Sequence, residues 1–234
     1  MTDTSTIAVN AARFESALAS ELAKLGRPRD EITVVAVSKT FNATCVEAAI
    51  HAGLSIFGEN RVQEAKAKIP SVRSDHPHQW HLIGHLQTNK AKDAVLLFDM
   101  IQSVDSLELA KAIDSRAGAQ GKRQNILIQV NTTDEPQKSG CEPSEIDDIV
   151  AGIVLLPSIR IQGLMTIGPF VEDSRPIRRS FGILRREFDR LARFDLGGGA
   201  MRYCSMGMSG DWPIALAEGA NMLRIGSAIF GARS

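Results

Sequence analysis

Eight short apolar runs recur along the 234-residue chain, separated by segments whose apolar residues repeat at helical spacing. The runs are residues 32–38, LSIF at 54–57, QWHLIG at 79–84, MIQSV at 100–104, NILIQV at 125–130, IRIQGLM at 159–165, RYCSM at 202–206 and MLRIG at 222–226. Val34, Val35, Ala36 and Val37 are typical: a continuous apolar run rich in β-branched residues suits a strand covered on both faces, as in parallel sheets. Between the runs, helix signals are equally regular. Asn42 is placed to cap a helix to about Gly53, Arg61 to Ile69 reads as a helix stopped by Pro70, and another follows Gln87. Asp105 or Ser106 opens the next, Pro143 suits a first turn, and Ile177, Phe181, Leu184, Phe188 and Leu191 make a stripe. Asp211 and Pro213 open a further helix, and Phe14, Leu18, Leu22 and Leu25 form a leading one ended by Gly26 and Pro28. Such alternation implies a parallel sheet with helices outside it. Eight units in about 200 residues match a closed (β/α)8 TIM-type barrel better than an open doubly wound sheet. The expectation is one barrel domain over residues 1–234, with residues 1–28 an extra N-terminal helix packed on it.

Composition narrows the function classes. Lys plus Arg and Asp plus Glu number 27 each, so no global charge draws the chain to nucleic acid or an anionic membrane. The longest apolar stretch, IVAGIVLLP at 149–157, is too short to span a bilayer, and MTDTSTIAVNAAR lacks the basic start of a secretory signal. Cys45, Cys141 and Cys204 are odd in number and far apart, which points to the reduced cytoplasm. His76, His78, His81 and His85 fit no standard zinc spacing, so no metal is expected. The arginines from Arg175 to Arg193 read as the solvated face of the helix carrying the Ile177–Leu191 stripe.

In a barrel of this kind, functional side chains gather where strands end. The first run ends in Ser38-Lys39-Thr40, which sets an amine at the barrel mouth; it reads either as a solvated strand-end lysine or as a nucleophile toward a carbonyl. Phosphate sites often use the loops after strands seven and eight, and CSMGMSGDW and RIGSAIFG are Gly/Ser turns at those places. Ser205 and Ser227 offer hydroxyls there, while Gly207 and Gly226 keep the backbone open. Arg224 lies between Leu223 and Ile225, so strand alternation points it inward, where it needs either a carboxylate such as Glu59 or a polar ligand atom. Amine, interior arginine and phosphate turns together suggest pyridoxal phosphate. An arginine at the ring nitrogen donates to it and leaves it without a proton.

The motifs AVSKT, FGENRVQEAKAK, WHLIGHLQTNK, GLMTIG, SMGMSGD and NMLRIGSAIFGAR occur in order across residues 34–233 and resemble those of the pyridoxal-phosphate homeostasis protein family. That family is similar to the N-terminal barrel of alanine racemase. The resemblance implies that Lys39 holds the cofactor as an internal aldimine and that Arg224 faces the pyridine nitrogen. It implies a phosphate cradle of Ser205, Gly226 and Ser227, with Ser209 beside them, and a pocket lined by Asn60, His81 and Met165. His85 stands where the family usually has proline, Ser227 replaces a common threonine, and FNAT replaces a proline-containing turn.

The resemblance implies cofactor homeostasis or delivery, with pyridoxal 5′-phosphate and apo enzymes as partners. Lack of the racemase second domain favours a monomer, and the cysteine pattern and balanced charge lead to the expectation of a cytoplasmic protein with no nucleic acid or membrane partner. A racemase is the alternative, but it needs a second base, and the only tyrosine, Tyr203, sits two residues before Ser205 and hence deeper. The sequence ends just past the last motif, so nothing is expected to close the open face of the cofactor. A Schiff-base aldolase acting on a sugar phosphate is a third class, against which Arg224 argues. Lys138, in QKSG, is a second amine near the mouth.

Overall fold

The computed structural model describes residues 4–133, 135 and 137–231. Eight strands form the centre: β1 (Thr33–Val37), β2 (Ile56–Glu59), β3 (Gln79–Leu82), β4 (Met100–Val104), β5 (Gln124–Gln129), β6 (Ile159–Met165), β7 (Tyr203–Ser205) and β8 (Met222–Ile225). Each pairs in parallel with the next, and β8 closes on β1 with Val35 opposite Arg224. The expected closed barrel is therefore present. Around it lie α1 (Thr4–Leu25), α2 (Ala43–His51), α3 (Val62–Lys68), α4 (Ala91–Leu97), α5 (Leu107–Gly118), α6 (Ile146–Ile153), α7 (Ser174–Leu191), α8 (Trp212–Ala217) and α9 (Ser227–Phe230).

The local chemistry of the sequence fixes most of these boundaries. Asn42 Oδ1 accepts the Cys45 amide at 3.0 Å and starts α2, and Ser106, not Asp105, caps α5 by accepting from Leu109 N at 3.3 Å. Strand β2 begins two residues later than LSIF implies. Gly53 adopts φ +90° and Leu54 N donates back to Ala49 O at 3.1 Å, so Leu54 still belongs to the α2 terminus. The strand then runs on through Gly58 and Glu59.

Alternation along the strands divides the core in two. Val35, Met100, Leu127, Met165 and Met222 fill the barrel interior, while Ala36, Phe57, Leu82 and Ile101 face the helices. Helix α1 lies across α2 and α9, and Phe14 meets Trp212 edge-on at 5.5 Å. Its Ile7, Leu18 and Leu22 are almost fully buried, each worth about 1.5–3 kcal/mol. Along α7 the arginines pair within the chain: Arg178 with Glu218, Arg185 with Asp189, and Arg190 with Asp147 and Glu187. Among the described residues no helix is long and apolar enough to cross a membrane.

Candidate functional site

A cleft of about 400 Å³ opens where the strands end. Lys39, Asn60, Ser209, Arg224, Gly226 and Ser227 line it, so the structure brings six of the nine expected site residues together. Lys39 follows Val35 and Val37 at intervals of two, which carries the inward face of β1 up to the rim. Thr40, directly after it, has φ +71°. For a β-branched residue that left-handed conformation costs on the order of 1–3 kcal/mol and persists only where its surroundings impose it.

Arg224 forms the cleft floor. Its guanidinium donates to Ser205 Oγ and to the Thr166 carbonyl, both at 2.7 Å. Burial lowers its pKa to about 10, so it stays charged at neutral pH. Glu59 is not its partner. Gly58 faces the barrel interior, so Glu59 points outward to the helix layer, where Oε1 accepts from Ser38 Oγ and Lys68 Nζ at 2.7 Å each. The loop after β7 is tied to the turn after β8, because Ser209 Oγ accepts from Gly226 N at 3.2 Å and Ala228 N at 3.3 Å.

Three expected residues lie elsewhere. Ser205 is fully buried beneath Arg224 and passes its own proton to Gln102 Oε1 at 2.7 Å, so it does not line the cleft. His81 is also buried and off the cleft lining, with Nδ1 2.9 Å from Gln102 Nε2, and burial lowers its pKa to about 3. Met165 belongs to the apolar interior. In each case alternation correctly points the side chain inward, but for Met165 and Ser205 the register between strands, Met165 opposite Ser205 and Ser205 opposite Met222, puts the side chain below Arg224. Ser205 stands level with Met222, two residues before Arg224. Gly207 also serves the fold: its φ is +93° and an added Cβ would approach Ala215 Cβ to 2.6 Å.

Lys138 lies off the cleft lining, with Nζ paired to Glu135 at 2.7 Å and donating to Gly168 O at 3.3 Å. The histidines diverge. His85 is exposed beside Asp105 at 3.6 Å, His78 contacts the His76 carbonyl, and His81 points into the barrel.

Sequence reasoning missed Asp211, which it treats as a helix cap. Its Oδ1 instead accepts the Met208 amide at 2.5 Å, closing the turn within the chain, and the residue lines the cleft. Burial raises its pKa while the Arg224 charge opposes the rise. Ile167, Phe170 and Val171, on the loop after β6, form an apolar outer wall, with Phe170 98% exposed. Pro169 and the exposed run around it mark a loop in the sequence, but nothing local to it shows which cleft it borders.

Residues 15–234 match the family described as alanine racemase, N-terminal domain. The pyridoxal phosphate homeostasis protein of Escherichia coli K12 is 37% identical over 97% of each chain. The solved structure of PipY from Synechococcus elongatus, with PLP bound, is 37% identical, covers 91% of this chain and 99% of its own, and superposes with a TM-score of 0.80. The fold extends to the alanine racemase of Streptomyces lavendulae, with TM-score 0.77 and 16% identity, over 99% of this chain and 58% of that one. By its matched family model and by the identity and coverage of these relatives, this chain belongs to the pyridoxal phosphate homeostasis protein family, built on the alanine racemase N-terminal barrel.

Proposed function

We propose that this chain binds pyridoxal 5′-phosphate in the cleft, with Lys39 as the Schiff-base lysine, and serves cofactor homeostasis by holding the cofactor reversibly and passing it to enzymes that lack it. When bound, the cofactor supplies an aldehyde carbonyl, a ring nitrogen and a phosphate. The residues present fit all three. Lys39 offers an amine at the rim. Arg224 offers only donors, so it binds a ring nitrogen that carries no proton. That arrangement withholds the protonated ring on which strong carbanion stabilisation depends, and it favours carriage over catalysis.

Gly226, Ser227 and Ser209 supply open backbone and hydroxyls for the phosphate. A Cβ at Gly226 would meet only Val37, with Cβ at 3.6 Å and O at 3.7 Å, and φ is −106°. No protein contact demands glycine here; the backbone, with ψ −86° outside the main allowed regions, favours it, and the missing side chain also keeps the chain open toward a ligand. Asn60 Oδ1 is buried without a hydrogen-bond partner among the described residues, so a ligand donor has an acceptor waiting.

The observation that carries this reading is the convergence of Lys39, Arg224 and the Gly226–Ser227 turn on one cleft. Racemisation fits less well. Tyr203 packs with the interior cluster around Val35 and Met222, and the titratable groups among the described lining residues are Lys39, Asp211 and Arg224. The reading includes a cytoplasmic location, which fractionation of cells tests, and a monomer, which light scattering of the purified chain tests. For the anchor, wild type and Lys39→Ala are mixed with pyridoxal 5′-phosphate, scanned in the visible range, reduced with borohydride and mapped by peptide mass. A yellow band and a Lys39 adduct in wild type alone are expected. No band in wild type overturns the reading, and a band surviving in the variant moves the anchor to Lys138. For delivery, loaded protein is mixed with an apo enzyme; reactivation no faster than with free cofactor refutes that part.

A further inference from the structure

Behind the cleft, on the outer side of β1 and β2, lies a buried ion cluster of Lys68, Glu59 and Glu64, none of which lines the cleft. Lys68, on α3, is 7% exposed, and its ammonium donates to Ser38 O at 2.7 Å, Glu59 Oε1 at 2.7 Å and Glu64 Oε1 at 2.9 Å. Those three bonds use every proton it has. Glu59 Oε1 also accepts from Ser38 Oγ at 2.7 Å, and Glu64 Oε1 accepts from Thr40 N at 2.5 Å. The cluster therefore grips the residue before Lys39 by its carbonyl and hydroxyl, and the residue after it by its amide.

We propose that Lys68, with Glu59 and Glu64, is a positioning device that fixes the backbone of Lys39, holding Thr40 at φ +71° so that the Lys39 amine is presented to an aldehyde in the cleft. The inference rests on the cofactor reading above. Two features separate it from a plain buried ion pair. Glu59 Oε2 is buried with no hydrogen-bond partner among the described residues, so the cluster is an expensive way to fill that space, and apolar replacements of such clusters are often neutral in stability or better. Thr40, moreover, is the one non-glycine residue with positive φ among the described residues, and its amide is bonded to the cluster.

The test uses the full chain as Lys68→Met, as Lys68→Met/Glu59→Gln in case the single change leaves a buried charge that prevents folding, and with Thr40→Gly added to each. In cofactor-free protein, amide exchange at Thr40 is expected to quicken about tenfold or more once the cluster is broken. After addition of pyridoxal 5′-phosphate, borohydride trapping is expected to show attachment at Lys39, with loss of water, slowed about tenfold or more. Dialysis equilibrium of the cofactor with Lys39→Ala, compared with and without the cluster changes, is expected to show unchanged non-covalent affinity. Glycine takes a positive φ without strain, so Thr40→Gly is expected to restore the attachment rate, which a merely structural role for Lys68 would not predict. Equal attachment rates in wild type and cluster variants overturn this inference alone. Slowed attachment with no rescue by glycine also overturns it. No attachment even in wild type overturns the cofactor reading, and this inference falls with it.

Discussion

Substituting His81 should remove a defined part of the acid sensitivity of the fold. The hydrogen bonds beneath the cleft have one direction. Arg224 can only donate, so Ser205 accepts from it and donates to Gln102 Oε1, which turns the Gln102 amide nitrogen toward His81 Nδ1 at 2.9 Å. That ring nitrogen must accept, so His81 is neutral with its proton on Nε2. Burial lowers its pKa from 6.5 to about 3. Because the folded value lies below the unfolded one, the stability tied to the neutral ring is complete above about pH 6.5 and is lost as pH falls toward 3. At pH 5 the unfolded chain is 1.5 units below its titration point, a loss of about 2 kcal/mol. For a chain of this length that is about 4–8 °C in Tm. His81→Gln keeps an acceptor for Gln102 and removes the titration. Calorimetry of both proteins at pH 7 and pH 5 should show wild type losing about 4–8 °C more than the variant, the acid effects of all carboxylates being common to both. An equal drop in the two would refute both the burial argument and the direction assigned to the chain of hydrogen bonds.

Gly207→Ala should cost about 2–4 kcal/mol, since the new methyl must sit at φ +93° and press on Ala215; an unchanged urea midpoint would contradict this. The thiols of Cys141 and Cys204, pushed up to about 12 chiefly by burial, should resist Ellman's reagent at pH 8 until denaturant is added, and rapid native labelling of either would contradict their placement. Phe14→Ala should lose about 3–5 kcal/mol in guanidinium unfolding if α1 is docked through Phe14 and Trp212 as described, and no loss would mean that it is not.

The sequence announces those features that depend on period and on residue type. IRIQGLM coincides with β6 and MIQSV with β4, because each run is bounded by polar or turn residues on both sides. The inward direction of Lys39 and Arg224 follows from alternation with Val37 and with Met222. Depth does not follow, since it depends on register against strands distant in sequence. Ser205 and His81 have the right parity, yet the pairing of β7 with β8 sets Ser205 beside Met222 and under the arginine. Asp211 was equally hidden. An aspartate before a Trp-Pro helix start reads as a cap, and only the fold of residues 208–211 turns its carboxylate to Met208 and its side chain to the cleft.

The same distinction explains what Arg224 does for the cleft. Its sequence neighbours, Leu223 and Ile225, say that a charge is buried but not how it is held. In the structure both partners are neutral oxygens, Ser205 Oγ and the Thr166 carbonyl, while the carboxylate the sequence offers, Glu59, is engaged by Lys68 on the other side of the sheet. A buried cation held only by neutral acceptors keeps its field directed into the cavity, with Asp211 as the nearby opposing charge. The partners of Arg224 are themselves committed: Ser205 to Gln102, and Gln102 to a histidine that burial keeps neutral. No group in that series can take a proton from the arginine or give one through it near neutral pH. On the cofactor reading proposed above, the floor of the cleft would offer a ring nitrogen a hydrogen-bond donor and not a proton, leaving the reactivity of the bound ligand to the rim, where Lys39 stands.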